Sequence, residues 1–408
     1  MSDTLKPATD WELAGMIATY RDRRLPIEIC GSGTKRAVGR PTQTAAAIST
    51  QSLRGITLYE PTELVMSARA GTPMSQVEAE LAARGQMLAF EPIDLGPAIG
   101  GKPGQQTIGA VFATNLSGAR RISAGAARDH LLGMRGVNGV AEEFKSGGRV
   151  MKNVTGYDVA RGLCGSWGTL AVMTEVTFKV LPWPDDTGTL VYTGLTDELA
   201  TELMQTALGT PFEVSGTVHL SASLTRRLRH DGLRSLDTPL TALRLENFAH
   251  AVAYRREALR ELLKASGFVK VIELDAHDSA SFWNEIRQLS VLPPGRTHLW
   301  KISTTPGKGP KLVAAVRRHM EAEALYDWSG GLVWLEVPET ADAGAADIRR
   351  AVATHGGHAT LIRAETAVRA AVDVFHPLSP AVERLARGLK SAFDPYGILN
   401  PGRMYSGL

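Results

Sequence analysis

Residues 26–42, PIEICGSGTKRAVGRPT, place Gly31 and Gly33 around Ser32 directly after a short apolar run that ends at Cys30. Glycine reaches positive φ without steric cost, so such a turn can bring backbone N–H groups close to an anion, with Ser32, Thr34 and Lys35 as further donors. A dinucleotide fingerprint of the Rossmann type needs another glycine at the sixth position, where Arg36 stands, and Pro41 follows before any apolar helical period. That reading fails. On this stretch alone a plain strand-to-loop turn and a phosphate cradle both stay open. A near match to the Walker loop, Gly96 to Gly101 and Lys102, is discarded because Pro103 stands where the magnesium-binding Ser or Thr belongs.

The elements that must position such a turn are bounded by the totals. At roughly 100–200 residues per domain, 408 residues suggest two or three domains. Hydrophobic residues at 44% and charged residues at 21% are ordinary for a globular protein. A formal charge of +3 gives no basis for a nucleic-acid or anionic-membrane partner. The 41 glycines exceed the usual proportion of about 7%, so many backbone positions are expected to be irregular. Cys30 and Cys164, far apart and outside any C-x-x-C spacing, allow neither a disulfide framework nor a Cys-ligated iron–sulfur cluster, and each is expected as a small buried hydrophobe. The amino terminus has no apolar signal segment, and no run of 18 uncharged apolar residues occurs later. The expectation is a cytoplasmic chain.

Along the chain, residues 27–30 and 62–70 read as strands. Residues 72–85 read as a helix with Ser75 and Glu78 as a capping box and Gly85 as its stop, giving a small α/β unit over about residues 1–95. Residues 96–183 break into short apolar pieces between glycines, for which strands fit better than helices. LPWPDD, 181–186, marks a boundary. Beyond it come strands at 189–194, 213–220, 239–246, 268–274, 298–304, 331–337 and 358–363. Helices alternate with them at 196–208, 250–266, 278–289, 309–323 and 343–355. This order suggests one or two ferredoxin-like sheets covered on one face by helices. Val252, Leu259, Leu262 and Leu263 are expected in the core.

The segments GQQTIGAVFATNLSG (104–118), RDHLLG (128–133) and KNVTGYDVARGLCGSWGTLAV (152–172), with the closing DPYGILNPGRM (394–404), resemble the flavin domain of the vanillyl-alcohol oxidase and p-cresol methylhydroxylase family. Order and spacing carry the resemblance more than any one segment. Together with GGHATLIRA (356–364) and the short chain, the pattern is similar over nearly its whole length to the smaller FAD-binding subunits of bacterial glycolate oxidases.

That resemblance implies an α+β fold. Residues 1–183 would form a two-part FAD-binding domain, about 1–95 and 96–183, and 184–390 a ferredoxin-like second domain for substrate or subunit contact. Residues 391–408 would form a tail returning to the first domain. It implies FAD, whose diphosphate would be gripped by backbone N–H groups: Gly31, Ser32, Gly33, Thr34 and Lys35 in a first loop, and Thr107, Ile108, Gly109 and Ala110 in a second. Asn115, Ser117 and Gly118 would add a donor-rich turn, and Gly165, Gly168, Thr169 and Val172 would hold the adenine and ribose side. No histidine lies between residues 26 and 42, so attachment is expected to be noncovalent.

Related 2-hydroxy acid dehydrogenases carry an H-x-x-D-G-N-x-H segment for substrate and metal; here THGGHATLIRAET keeps His355 and His358 but no Asp-Gly-Asn. A helix-to-strand turn without a metal is expected there. His219 and His376 are expected to be structural. Arg296 and Arg363 are among many arginines that spacing does not single out, so no catalytic residue is assigned. The implied function is oxidation of glycolate to glyoxylate with a larger flavin subunit and an iron–sulfur subunit as partners. A self-sufficient dehydrogenase of another 2-hydroxy acid, or a catalytically silent assembly subunit, are the alternatives.

Overall fold

A computed structural model describes residues 4–149 and 156–408. Lys152 to Thr155, the start of the 152–172 segment, lie outside the described residues. Three parallel strands, β1 (Thr4–Leu5), β2 (Ile27–Cys30) and β3 (Ala46–Ser49), pair in the order β1-β3-β2 beside the helix Asp10–Asp22. Thr9 caps that helix, its Oγ1 accepting from the Glu12 N–H at 3.1 Å. A second sheet is antiparallel and built from β4 (Ile56–Glu60), β5 (Val65–Arg69), β7 (Leu131–Asn138), β8 (Glu143–Gly147) and β9 (Ala171–Lys179) in the order β4-β5-β9-β7-β8. A small ribbon, β6 (Gln86–Met87) with β10 (Leu181–Pro182), closes this domain.

The sheets divide between Ser49 and Ile56, not near residue 95. β5 is buried from Val65 to Ala68 and must have neighbours on both sides, which it finds in β4 and, 110 residues on, in β9. Residues 96–183 are also less strand-rich than expected, with helical segments at Ile108–Thr114, Arg121–Ala124, Ala127–His130 and Val159–Leu163. In the first of these Ile108, Val111 and Phe112 share a buried face, and Asn115 ends it at φ 50°; two turns are too short to display a helical period. The helix Met74–Ala82 forms as expected, but Ser75 caps nothing, and Glu78 pairs with Arg287 at 2.9 Å.

The second domain is one eight-stranded antiparallel sheet. β11 (Asp186–Thr193), β12 (Val214–Leu220), β13 (Leu240–Asn247) and β14 (Val271–Leu274) take the order β14-β11-β13-β12. β15 (Thr297–Ser303), β16 (Glu323–Asp327), β17 (Leu332–Pro338) and β18 (His358–Arg363) take β16-β17-β15-β18. Each half is a βαββαβ unit, and β12 against β16 joins them. The helix expected over 309–323 ends at Arg317, and β16 begins at Glu323. Helices Asp197–Leu208, Ala249–Ala265, Gly309–Arg317 and Ala345–His355 cover the outer face, with Leu262 left 37% exposed rather than in the core. Arg244, Lys301, Asp327 and Trp334 alternate onto the inner face, toward the first domain, where the helix Ala276–Arg287 also lies. Among the described residues no helix is long and apolar enough to cross a membrane.

Candidate functional site

β2 delivers the chain to Gly31 at the edge of an open cleft. Gly31 to Arg36 line it from one side, Gly109 and Ala110 from another, and Gly168 and Val172 from a third. Close packing explains the glycines. A Cβ at Gly109 would stand 2.6 Å from the Ala70 Cβ, because the Gly109 N–H donates to the Ala70 carbonyl at 2.9 Å. A Cβ at Gly31 would strike the Thr107 hydroxyl, and Gly33 turns the loop at φ 80°.

The two loops are also bonded to each other. The Ser32 hydroxyl donates to the Gln105 carbonyl, and Lys35 Nζ donates to Gln106 Oε1 at 3.0 Å. Burial pushes the Lys35 ammonium down to about 8, against the opposing pull of Asp94. Thr107 Oγ1 is buried with no partner. A buried cation bonded to a neutral amide and an orphaned hydroxyl beside bare backbone form a donor-rich set, which fits the diphosphate of a dinucleotide.

The carboxyl-terminal tail supports this set from behind. Asn400 accepts from the Ile29 N–H at 2.9 Å and donates to the carbonyls of Ile29 and Trp167 at 3.1 and 2.9 Å. Arg403 Nη2 donates to the Lys35 carbonyl at 2.8 Å. Lys390, at the end of the helix Pro380–Phe393, bonds the Thr169 carbonyl, Asp394 and the Leu399 carbonyl. Ala70, Trp167, Asn400 and Arg403 were not singled out in the sequence. The DPYGILNPGRM segment was the only pointer to the last two.

Other site residues fall elsewhere. Ile108 is fully buried in the core beside Phe112. Asn115 and Ser117 accept from the N–H groups of Arg128 and Ala127, each at 3.0 Å, and Gly118 accepts from Trp328 Nε1 at 3.0 Å, so this turn faces the second domain. Gly165 and Thr169 line a separate cavity with Lys390 and Tyr405. His355 ends a helix and His358 opens β18 across Gly356 and Gly357, the expected turn. His219 is buried between Thr241 and Asp197. Cys164 is buried, while Cys30 is only partly so and receives Arg36 at 3.5 Å. Arg363 is consumed by Glu336 and the Ala98 and Leu292 carbonyls, and Arg296 stands in solvent against Glu339; neither reaches the cleft.

The domains are clasped by a buried ion network. Arg244 on β13 holds Glu91 through two bonds of 2.8 and 2.9 Å, and Arg120 bridges Glu91 and Glu246. Burial alone would raise the Glu91 pKa, but the two guanidiniums hold it at about 2.

Fold and site define an FAD-binding protein with a ferredoxin-like second domain. Residues 4–145 match the FAD binding domain family. In structure the chain is similar to p-cresol methylhydroxylase, with a TM-score of 0.74 at 14% identity, covering 98% of this chain and 88% of that one. In sequence it is 35% identical to glycolate oxidase subunit GlcE of Escherichia coli over 94% of each chain. It is 26% identical to glycolate oxidase subunit GlcD of Bacillus subtilis over 46% of this chain and 38% of that protein. The chain belongs to the GlcE family of glycolate oxidase subunits, in agreement with the resemblance read from its motifs.

Proposed function

We propose that the chain is the FAD-carrying subunit of a glycolate-oxidising complex, with FAD held noncovalently in the cleft between residues 31–35 and 107–110. Bound FAD would supply the two-electron acceptor for oxidation of a 2-hydroxy acid to the 2-oxo acid. The chain's own residues bind and orient. Backbone N–H groups of Gly31–Lys35, the Lys35 ammonium and the Thr107 hydroxyl would neutralise the diphosphate, and Gly168 and Val172 would border the cofactor through main chain. The observation that carries this is the convergence of a buried, weakly partnered lysine and an unpartnered hydroxyl on glycines too tightly packed for a side chain.

Four thiolates are needed for a Cys-held iron–sulfur cluster, and this sequence has two cysteines. Electrons would therefore leave through an iron–sulfur partner beside a larger flavin subunit, on the cytoplasmic side, with any membrane contact made by partners. The similarity to proteins named as glycolate oxidase subunits supports this assembly. Anaerobic glycolate should bleach the flavin absorbance of the reconstituted complex. An unchanged spectrum with glycolate, when the complex is intact and flavin-loaded, would overturn the substrate assignment.

A further inference from the structure

At the junction of β15, β18 and the turn after Gly118, four nitrogen-bearing side chains gather without an acid among them. The Arg121 guanidinium lies 4.4 Å over the Trp328 ring, and Lys301 Nζ lies 5.8 Å from the centroid of the same ring. His358 faces Ser303 across the β15–β18 pair and shares the inner face with Lys301, whose partner is Thr360. His376 Nδ1 accepts from Arg349 Nη1 at 2.8 Å, which leaves its proton on Nε2. The cations Lys301, Arg121 and Arg349 and the ring of His376 all act on His358.

Among the described residues, Arg121 and Lys301 have no carboxylate in ion-pair contact. The acid nearest in effect to Arg121 is Asp129, which is occupied in capping Ala126. Burial and then Arg121 push the Lys301 ammonium down to about 8. Like charges drawn together are unfavourable unless something anionic joins them. The backbone beneath is strained as well. Trp328 and Ser329 both sit in the left-handed region, at φ 50° and 57°, and Ser329 Oγ is buried without a partner. Such strain is kept where the surroundings enforce it, and here Trp328 is pinned by its bond to the Gly118 carbonyl.

We propose that Arg121, Lys301, His358 and His376 form a metal-free binding site for the carboxylate of a small 2-hydroxy acid, floored by Trp328. Arg121 and Lys301 supply the charge, and the two imidazoles, neutral at physiological pH, supply N–H donors for the carboxylate or the hydroxyl. No bond is made or broken in this step. His376 follows Phe375, whose ring meets that of Trp167 on the wall of the cleft at 5.4 Å, and the assignment to substrate rests on the reading that the chain oxidises a 2-hydroxy acid.

Oxalate and glycolate binding to the purified flavin-loaded chain, followed by calorimetry with flavin absorbance recorded on the same samples, tests the site. Lys301→Met and Arg121→Met should each weaken oxalate binding at least tenfold at unchanged flavin content, whereas Lys301→Arg should keep most of it. Lys301→Met should also raise the melting temperature of the ligand-free protein, since a desolvated like charge is gone. Unchanged oxalate affinity in both Met variants, or inorganic phosphate binding as tightly as oxalate, overturns the proposal. A chain without flavin that still binds oxalate through Lys301 would support the anion site while defeating the cofactor reading, so the two failures are separable.

Discussion

At the scale of single residues the cleft is a set of close approaches. Ala70 backbone and Cβ crowd Gly109, so Gly109→Ala cannot be absorbed by a rotamer change, and a destabilisation of about 1–3 kcal/mol in urea unfolding is expected. Gly31→Ala meets only the movable Thr107 side chain and should cost less. Thr107→Val separates stability from binding: removing a buried hydroxyl that has no partner should leave the flavin-free protein equally or more stable, while flavin is retained less well. Reduced stability with unchanged flavin retention in Thr107→Val would contradict the role given to that hydroxyl. Gly31 to Lys35 were legible because glycine's freedom and the donors are written in residue type. Asn400 and Arg403 were not, since their work depends on partners more than 360 residues away in the chain.

Elements meet through charge, and their junction is pH-dependent in two opposite senses. Glu91 sits below its ordinary 4.5, so its contribution is present above that value and is lost as the pH falls through about 2. Burial raises Asp327 from 3.8 to about 7, against its bond from the Trp328 N–H. In this case the folded state holds the proton more tightly, so the Asp327 contribution is fully present below about 3.8 and is lost as the pH rises through about 7. Asp327→Asn keeps an acceptor for Trp328 and should flatten the decline between these values in urea unfolding; an unchanged pH profile would refute the assignment. Glu91→Gln leaves Arg244 and Arg120 without their common carboxylate and should cost about 3–5 kcal/mol in the same assay. None of this network could be read from spacing, because Glu91 and Arg244 lie on loop and strand of different domains. Strands such as β11 were legible by composition; the helix Ile108–Thr114 was not, being held by tertiary packing against Phe90 and Phe178 rather than by its own period.

For the whole molecule, two ferredoxin-like halves make one wide sheet whose outer face is dry with helices and whose inner face can lie against the first domain. The repeated alternation of strands and helices was visible in the sequence; fusion through β12 and β16 was not, since β16, the second half's own second strand, begins at the last residue of an expected helix and runs on through residues that read as no element. The tail crosses back to the first domain, where Leu399 bridges Ile27 and Asn400 buttresses the turn that carries Gly31. The proposed flavin site therefore centres on the loops at residues 31–35 and 107–110. The flavin content of the purified chain tests that convergence most directly. The account gives close to one FAD per chain, released intact by acid and lowered in Gly109→Ala; a colourless, folded chain that takes up no FAD on reconstitution would contradict it.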